Sequence, residues 1–260
     1  MFKQTISLFR YLLLGVVNRR MAIFYFILLA LSYLLSDFFS DLAIINSQKI
    51  SGALQGDFLR YSLIFLALLM VTNNVADDFR SNQFEQLLTM PISRWQYVVA
   101  QLLVIFFVAT ALSFPVAAVL SFSVSLEVAL YWSAALWLEI TLVSLIGLLG
   151  ILSLEKMPQA VVFSTAVYLL AKFAGVISQM LTESVKLSDG GVTNHFATWV
   201  FEGVLHLMPS AQAFAQNNVF FDPSLLTLDL WLSQFMVVAI YAVFLVGVCL
   251  IDFYRKEFNR

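Results

Sequence analysis

Glu139 and Lys172 are ionisable residues set deep inside apolar stretches of a 260-residue chain. A charge in such surroundings is costly unless it has a partner, so each marks a point of structure or chemistry. Glu139 lies about 11 residues from one end of its apolar run, and Lys172 about 9 residues from the matching end of the next. At about 1.5 Å per residue those depths are about 16 and 14 Å, so antiparallel neighbours would bring the two side chains level. The expected intramembrane Glu139–Lys172 pair could line a substrate path or pass a proton. Equally, it could be a static pair that fixes the register of two helices.

Other chemistries find less in the sequence. His195 and His206 are the two histidines, and Glu202 stands one helical turn before His206. A metal site or proton shuttle can be drawn from them, but an i, i+4 polar pair on an interfacial helix is ordinarily just solvated. The sequence has no Gly-x-Ser-x-Gly elbow for nucleophilic catalysis and no Gly-x-x-x-x-Gly-Lys-Ser/Thr phosphate loop. An enzymatic role is therefore not expected, nor a metal or cofactor in this chain. If ATP drives the protein, ATP and Mg²⁺ belong to a separate subunit. Cys249 is the lone cysteine, which excludes an internal disulfide. A net charge of −2 gives no reason to expect nucleic acid as a partner.

The most polar interval of the first half is 77–101, DDFRSNQFEQLLTMPISRWQYVVAQ. Asn82 and Glu85 have the spacing of a capping box, and Phe84, Leu87 and Leu88 share one helical face. Pro91 stops the turn, and Ser93 with Gln96 forms a second box that opens the next apolar run. Three large apolar side chains on a soluble-side helix would each gain about 1.5–3 kcal/mol on burial. Such a helix either tucks against the protein's own helix ends or docks onto another protein.

The order of these residues resembles the cytoplasmic loop of the ABC type 2 exporter permeases. That loop has an acidic turn, a Gly-Thr-Leu-Glu-x-Leu-Leu helix and a Pro-Val-Ser-Arg exit. Asp78 matches the turn, Glu85, Leu87 and Leu88 the helix, and Pro91, Ser93 and Arg94 the exit. Asn82 stands where glycine is usual and Gln101 where lysine is usual. The turn 153–160, SLEKMPQA, is similar to the family's connection between its fourth and fifth spans. The resemblance implies an export permease that pairs with a second permease subunit, identical or not, and docks two copies of an ABC ATPase. The docking surface it implies comprises Phe84, Leu87, Leu88 and Pro91, with Asp77, Asp78, Arg80, Glu85 and Arg94 around them.

The elements that must hold these residues follow from composition. Apolar residues are 61% of the chain and charged residues 12%, far from the roughly 45–50% and 25% of a soluble domain. An all-α polytopic membrane protein is expected, one transmembrane domain over 1–260. Residues 2–20 predict an amphipathic surface helix, an elbow into the first span, with Phe2, Ile6, Phe9, Leu13 and Val16 or Val17 on its apolar side. Its charges are interleaved with apolar residues rather than placed before them, unlike a cleaved signal peptide. Six spans follow, at 21–39, 58–74, 95–122, 128–154, 159–181 and 230–251. Gly52 and Gly56 fall in a first loop over 37–57, and Arg60 is close enough to a span end to snorkel outward. Pro115 predicts a kink, and Gly147 and Gly150 close helix contacts. The segment 182–229 is expected to be external, with a re-entrant or interfacial helix over 195–208.

Lysine and arginine set the orientation. Six spans put both termini on one side, with Lys3, Arg10, Arg19, Arg20, Arg80, Arg94, Lys156, Arg255, Lys256 and Arg260, against Lys49, Arg60 and Lys186 on the other. That excess predicts cytoplasmic termini and a cytoplasmic 77–91 loop, which the resemblance implies is the coupling loop of a bacterial inner-membrane protein. Two other functions fit the same composition: a proton- or ion-coupled carrier using Glu139 and Lys172, and a non-transporting membrane anchor.

Overall fold

The computed structural model of the protein describes residues 2–16, 19–42, 47–80, 94–187, 218–223 and 227–255. The regular elements among them are all helical: α1 (Phe2–Val16), α2 (Arg19–Leu42), α3 (Ser47–Arg80), α4 (Arg94–Leu120), α5 (Leu126–Leu154), α6 (Met157–Leu187), α7 (Asn218–Phe221) and α8 (Leu228–Arg255). Five of them, α2, α3, α4, α5 and α8, are long and apolar enough to cross a bilayer. α6 is 31 residues long and apolar over Met157–Phe173. The protein is a polytopic helical membrane protein.

α5 is the axis of the bundle. It is apolar around its whole circumference, the pattern of a helix surrounded by others, and 83% of its most apolar window is buried against 22% for α2 and α8. α3, α4, α6 and α8 pack around it, with Trp132, Leu136 and Leu138 fully buried. Between helices in lipid, close packing rather than escape from water supplies the attraction, so small residues matter at the contacts. A Cβ on Gly147 would come within 2.5 Å of Leu68 on α3, and one on Gly150 within 3.1 Å of Phe163 on α6. α5 ends at Glu155, whose left-handed backbone (φ 61°) turns its N–H back to the Ile151 carbonyl. α6 starts two residues later with Pro158 in its first turn, where a missing N–H costs nothing.

Several boundaries differ from expectation. The predicted loop over 37–57 is largely helix, because α2 runs on to Leu42 and α3 begins at Ser47. Gly52 and Gly56 are packing glycines inside α3: a Cβ on Gly52 would meet Val124 at 2.9 Å, and one on Gly56 would meet Trp132 at 3.1 Å and Phe220 at 3.2 Å. α6 continues to Leu187, so the interval expected to leave the bundle at 182 begins as helix. Of the rest of 182–229, α7 buries Val219 and sets Phe220 against α3 and α5, and Lys49 donates to the Phe221 carbonyl at 3.1 Å. The expected re-entrant helix, with His195, Glu202 and His206, lies outside the described residues.

α1 buries Leu8, Leu12 and Val16, while Ile6, Tyr11 and Leu14 are exposed. The inward row is therefore offset from the predicted one. Apolar residues cover most of this helix, and its contacts with α4 and α3 select which of them face inward. α4 continues through Pro115. Proline gives no N–H to the Ala111 carbonyl one turn earlier, and the neighbouring Leu112 carbonyl accepts from the Tyr25 hydroxyl of α2 at 3.1 Å.

Candidate functional site

α5 carries Glu139 at its middle, and two helices, α6 and α3, supply its polar partners. The carboxylate is 1% exposed. Its Oε1 accepts from the Tyr168 hydroxyl at 2.9 Å and from Lys172 Nζ at 3.2 Å. Tyr168 and Lys172 are four residues apart on α6, so one helical face delivers both donors. Arg60 of α3 approaches the other oxygen, with Nε 3.5 Å from Oε2. The structure thus brings Glu139 and Lys172 together, and adds a second cation.

Arg60 does not snorkel outward. It lies well inside α3 and is 4% exposed, its guanidinium 5.5 Å from the Trp132 ring centroid. Trp132 and Glu139 are two turns apart on α5, so both reach α3. An arginine over an indole face gains about 0.5–2 kcal/mol, more where water is excluded. Arg60 Nη1 also meets Asp57 Oδ1 at 3.4 Å, one turn earlier on α3. The chain of charges therefore runs Asp57, Arg60, Glu139, Lys172, alternating in sign. Its inner members are enclosed, whereas the Asp57 side chain is 41% exposed. In a low-dielectric interior, desolvating each ion costs several kcal/mol, and alternation of sign offsets that cost. Such a cluster can fix helix register, hold a polar group of a ligand, or relay a proton.

A second polar group closes the end of the bundle where α3 finishes and α4 starts. Tyr97 donates to Asp78 Oδ2 at 2.8 Å, and Gln101 Nε2 donates to the Tyr97 hydroxyl at 3.0 Å. All three side chains are buried. Tyr97 also stacks on Phe253 of α8, centroids 5.7 Å apart. Gln101 thus serves as an uncharged link in this chain of hydrogen bonds.

The residues expected to dock an ATPase divide here. Asp77 is exposed at the end of α3 and accepts from Asn73 Nδ2 at 3.0 Å, whereas Asp78 points into the bundle and is no part of an exposed rim. Arg80 is the last residue of α3 and Arg94 the first of α4. Phe84, Glu85, Leu87, Leu88 and Pro91 lie outside the described residues. Among the described residues no group of three or more His, Cys, Asp or Glu side chains is placed to hold a metal, and Cys249 is buried.

Trp132, Tyr168 and Tyr97 escaped the sequence reading as site residues, and Arg60 was read only as a span-end residue. For Tyr168 a signal existed, its i, i+4 spacing to Lys172. Arg60 carried one as well, its spacing of three from Asp57, but assigning both to a loop and a span end hid it. No protein-family model matches the chain, and a search of curated proteins finds no match either.

Proposed function

We propose that this chain is the membrane-spanning permease subunit of an ATP-driven transporter, of the kind the 77–101 residues resemble. In this reading six helices, α6 included, cross a bacterial inner membrane with both termini cytoplasmic. Two such subunits pair, each docks an ABC ATPase through Phe84, Leu87 and Leu88, and the assembly exports its substrate. The observation that carries the reading is the Asp78–Tyr97 hydrogen bond of 2.8 Å. It ties the α3 and α4 ends at the root of the 81–93 connection, so force applied to that connection acts on both helices rather than on a slack loop. Gln101 and Phe253 extend the tie to a second turn of α4 and to α8.

Substitution tests this. Phe84→Asp with Leu87→Asp should abolish ATP-dependent transport in reconstituted vesicles while the protein stays folded. Unchanged ATP-dependent transport in that double variant would refute the proposed docking. A second reading, a proton- or ion-coupled carrier, is favoured by the enclosed Glu139 with its Lys172, Tyr168 and Arg60 neighbours. It requires transport to follow a pH or ion gradient without nucleotide.

A further inference from the structure

We infer that Arg60 is the recognition point for the anionic head of an amphiphile, which enters beside Asp57 and lays its apolar tail along α3. The inference takes the permease reading as its setting, with the amphiphile as cargo, but the binding itself requires no ATPase.

Arginine stays protonated under any physiological condition and offers five donors in a rigid fork. Arg60 is enclosed, yet its nearest anionic atoms are distant for so strong a donor: Asp57 Oδ1 at 3.4 Å and Glu139 Oε2 at 3.5 Å. Its Nη2 is buried and has no hydrogen-bond partner among the described residues. Charge-assisted bonds between guanidinium and carboxylate or phosphate are normally about 2.7–2.9 Å and often doubled. The guanidinium therefore has unused capacity for an oxyanion.

The charges around it point the same way. Behind Asp57 stand two cations, the buried Arg60 and the half-buried Lys172, and one buried anion, Glu139, whose Oε1 is already taken by Lys172 and Tyr168. The balancing charge, Asp57, is at the exposed edge. An incoming carboxylate or phosphate can displace the long Asp57 contact and leave the Glu139 contacts in place. From Asp57 the exposed side of α3 continues through Tyr61 (47%) and Phe65 (49%), at successive steps of four residues. One cationic point next to a stripe of large apolar side chains is the complement of a fatty-acid-like or lipid-phosphate molecule. A cation would meet Arg60 and Lys172, and a neutral tail alone would leave Nη2 unanswered.

The test is binding of spin-labelled oleate to the purified full chain in phosphatidylcholine nanodiscs, without ATPase or nucleotide. Oleyl alcohol serves as the uncharged analogue and acetate as the tailless anion. Arg60→Gln should weaken oleate binding by about tenfold, the scale of one charge-assisted hydrogen bond. Asp57→Asn, at the exposed edge, should strengthen it by removing the competing carboxylate. Neither change should alter oleyl alcohol binding, and acetate should fail to compete at concentrations where unlabelled oleate does. Weaker or unchanged oleate binding in Asp57→Asn would overturn the inference, as would equal binding of oleate and oleyl alcohol. Competition by acetate as effective as by oleate would overturn the assignment to an amphiphile. None of these outcomes bears on ATPase docking, which fails or stands on the Phe84 and Leu87 variants.

Discussion

Arg60 Nε lies 3.5 Å from Glu139 Oε2 across the α3–α5 contact, while Lys172 Nζ holds the opposite oxygen at 3.2 Å. One enclosed carboxylate on the central helix is therefore shared by cations from two flanking helices. The arrangement ranks Glu139 and Lys172 by what the loss of each leaves behind.

Glu139→Gln leaves the buried Arg60 and the half-buried Lys172 without that shared anion, and should destabilise the protein by about 3–5 kcal/mol. Lys172→Met leaves Glu139 with Tyr168 and Arg60, and should cost less, about 1–3 kcal/mol. The double variant should recover part of the Glu139→Gln loss. Thermal unfolding in detergent gives the order, and a Lys172→Met midpoint as low as that of Glu139→Gln would contradict it.

Tyr97→Phe removes the hydroxyl that answers buried Asp78 and receives Gln101. A loss of about 1–3 kcal/mol is expected. Asp78→Asn on the same background should relieve part of it, since an amide is cheaper to bury unpaired than a carboxylate. If the tie carries force from the 81–93 connection, Tyr97→Phe should also lower ATP-dependent transport by more than ATPase binding. Parallel loss of both would assign Tyr97 to stability alone.

Gly56→Leu should separate α3 from Trp132 and Phe220, because even a Cβ there sits 3.1–3.2 Å from both rings. Overpacking of this kind costs about 1–3 kcal/mol. The displacement would also lift Arg60 off the Trp132 face, so tryptophan fluorescence should change along with the midpoint. A wild-type midpoint would show that α7 and α5 yield at no cost.

Much of the helical layout was legible because apolar length alone defines a span. Glu139 and Lys172 were legible as a level pair because two spans joined by a short turn must run antiparallel. Arg60 was not, since its depth depends on where α3 begins, and Gly52 and Gly56 looked like loop residues. Only the rings packed on them reveal that they are contact points. Asp77 and Asp78 were read alike, although one residue of helical rotation, about 100°, turns the first to the outside and the second inward. The inward face of α1 was likewise undetermined, because a helix apolar on most sides is oriented by its neighbours.

Docking of a separate ATPase is tested most directly by equilibrium binding. The full chain in nanodiscs would be titrated with the P-loop ATPase encoded nearest its gene, wild type against Phe84→Asp/Leu87→Asp. Saturable binding that the double substitution weakens by at least about tenfold is expected, the scale of two lost apolar anchors. Equal affinity for both proteins, or no binding to either, would contradict it.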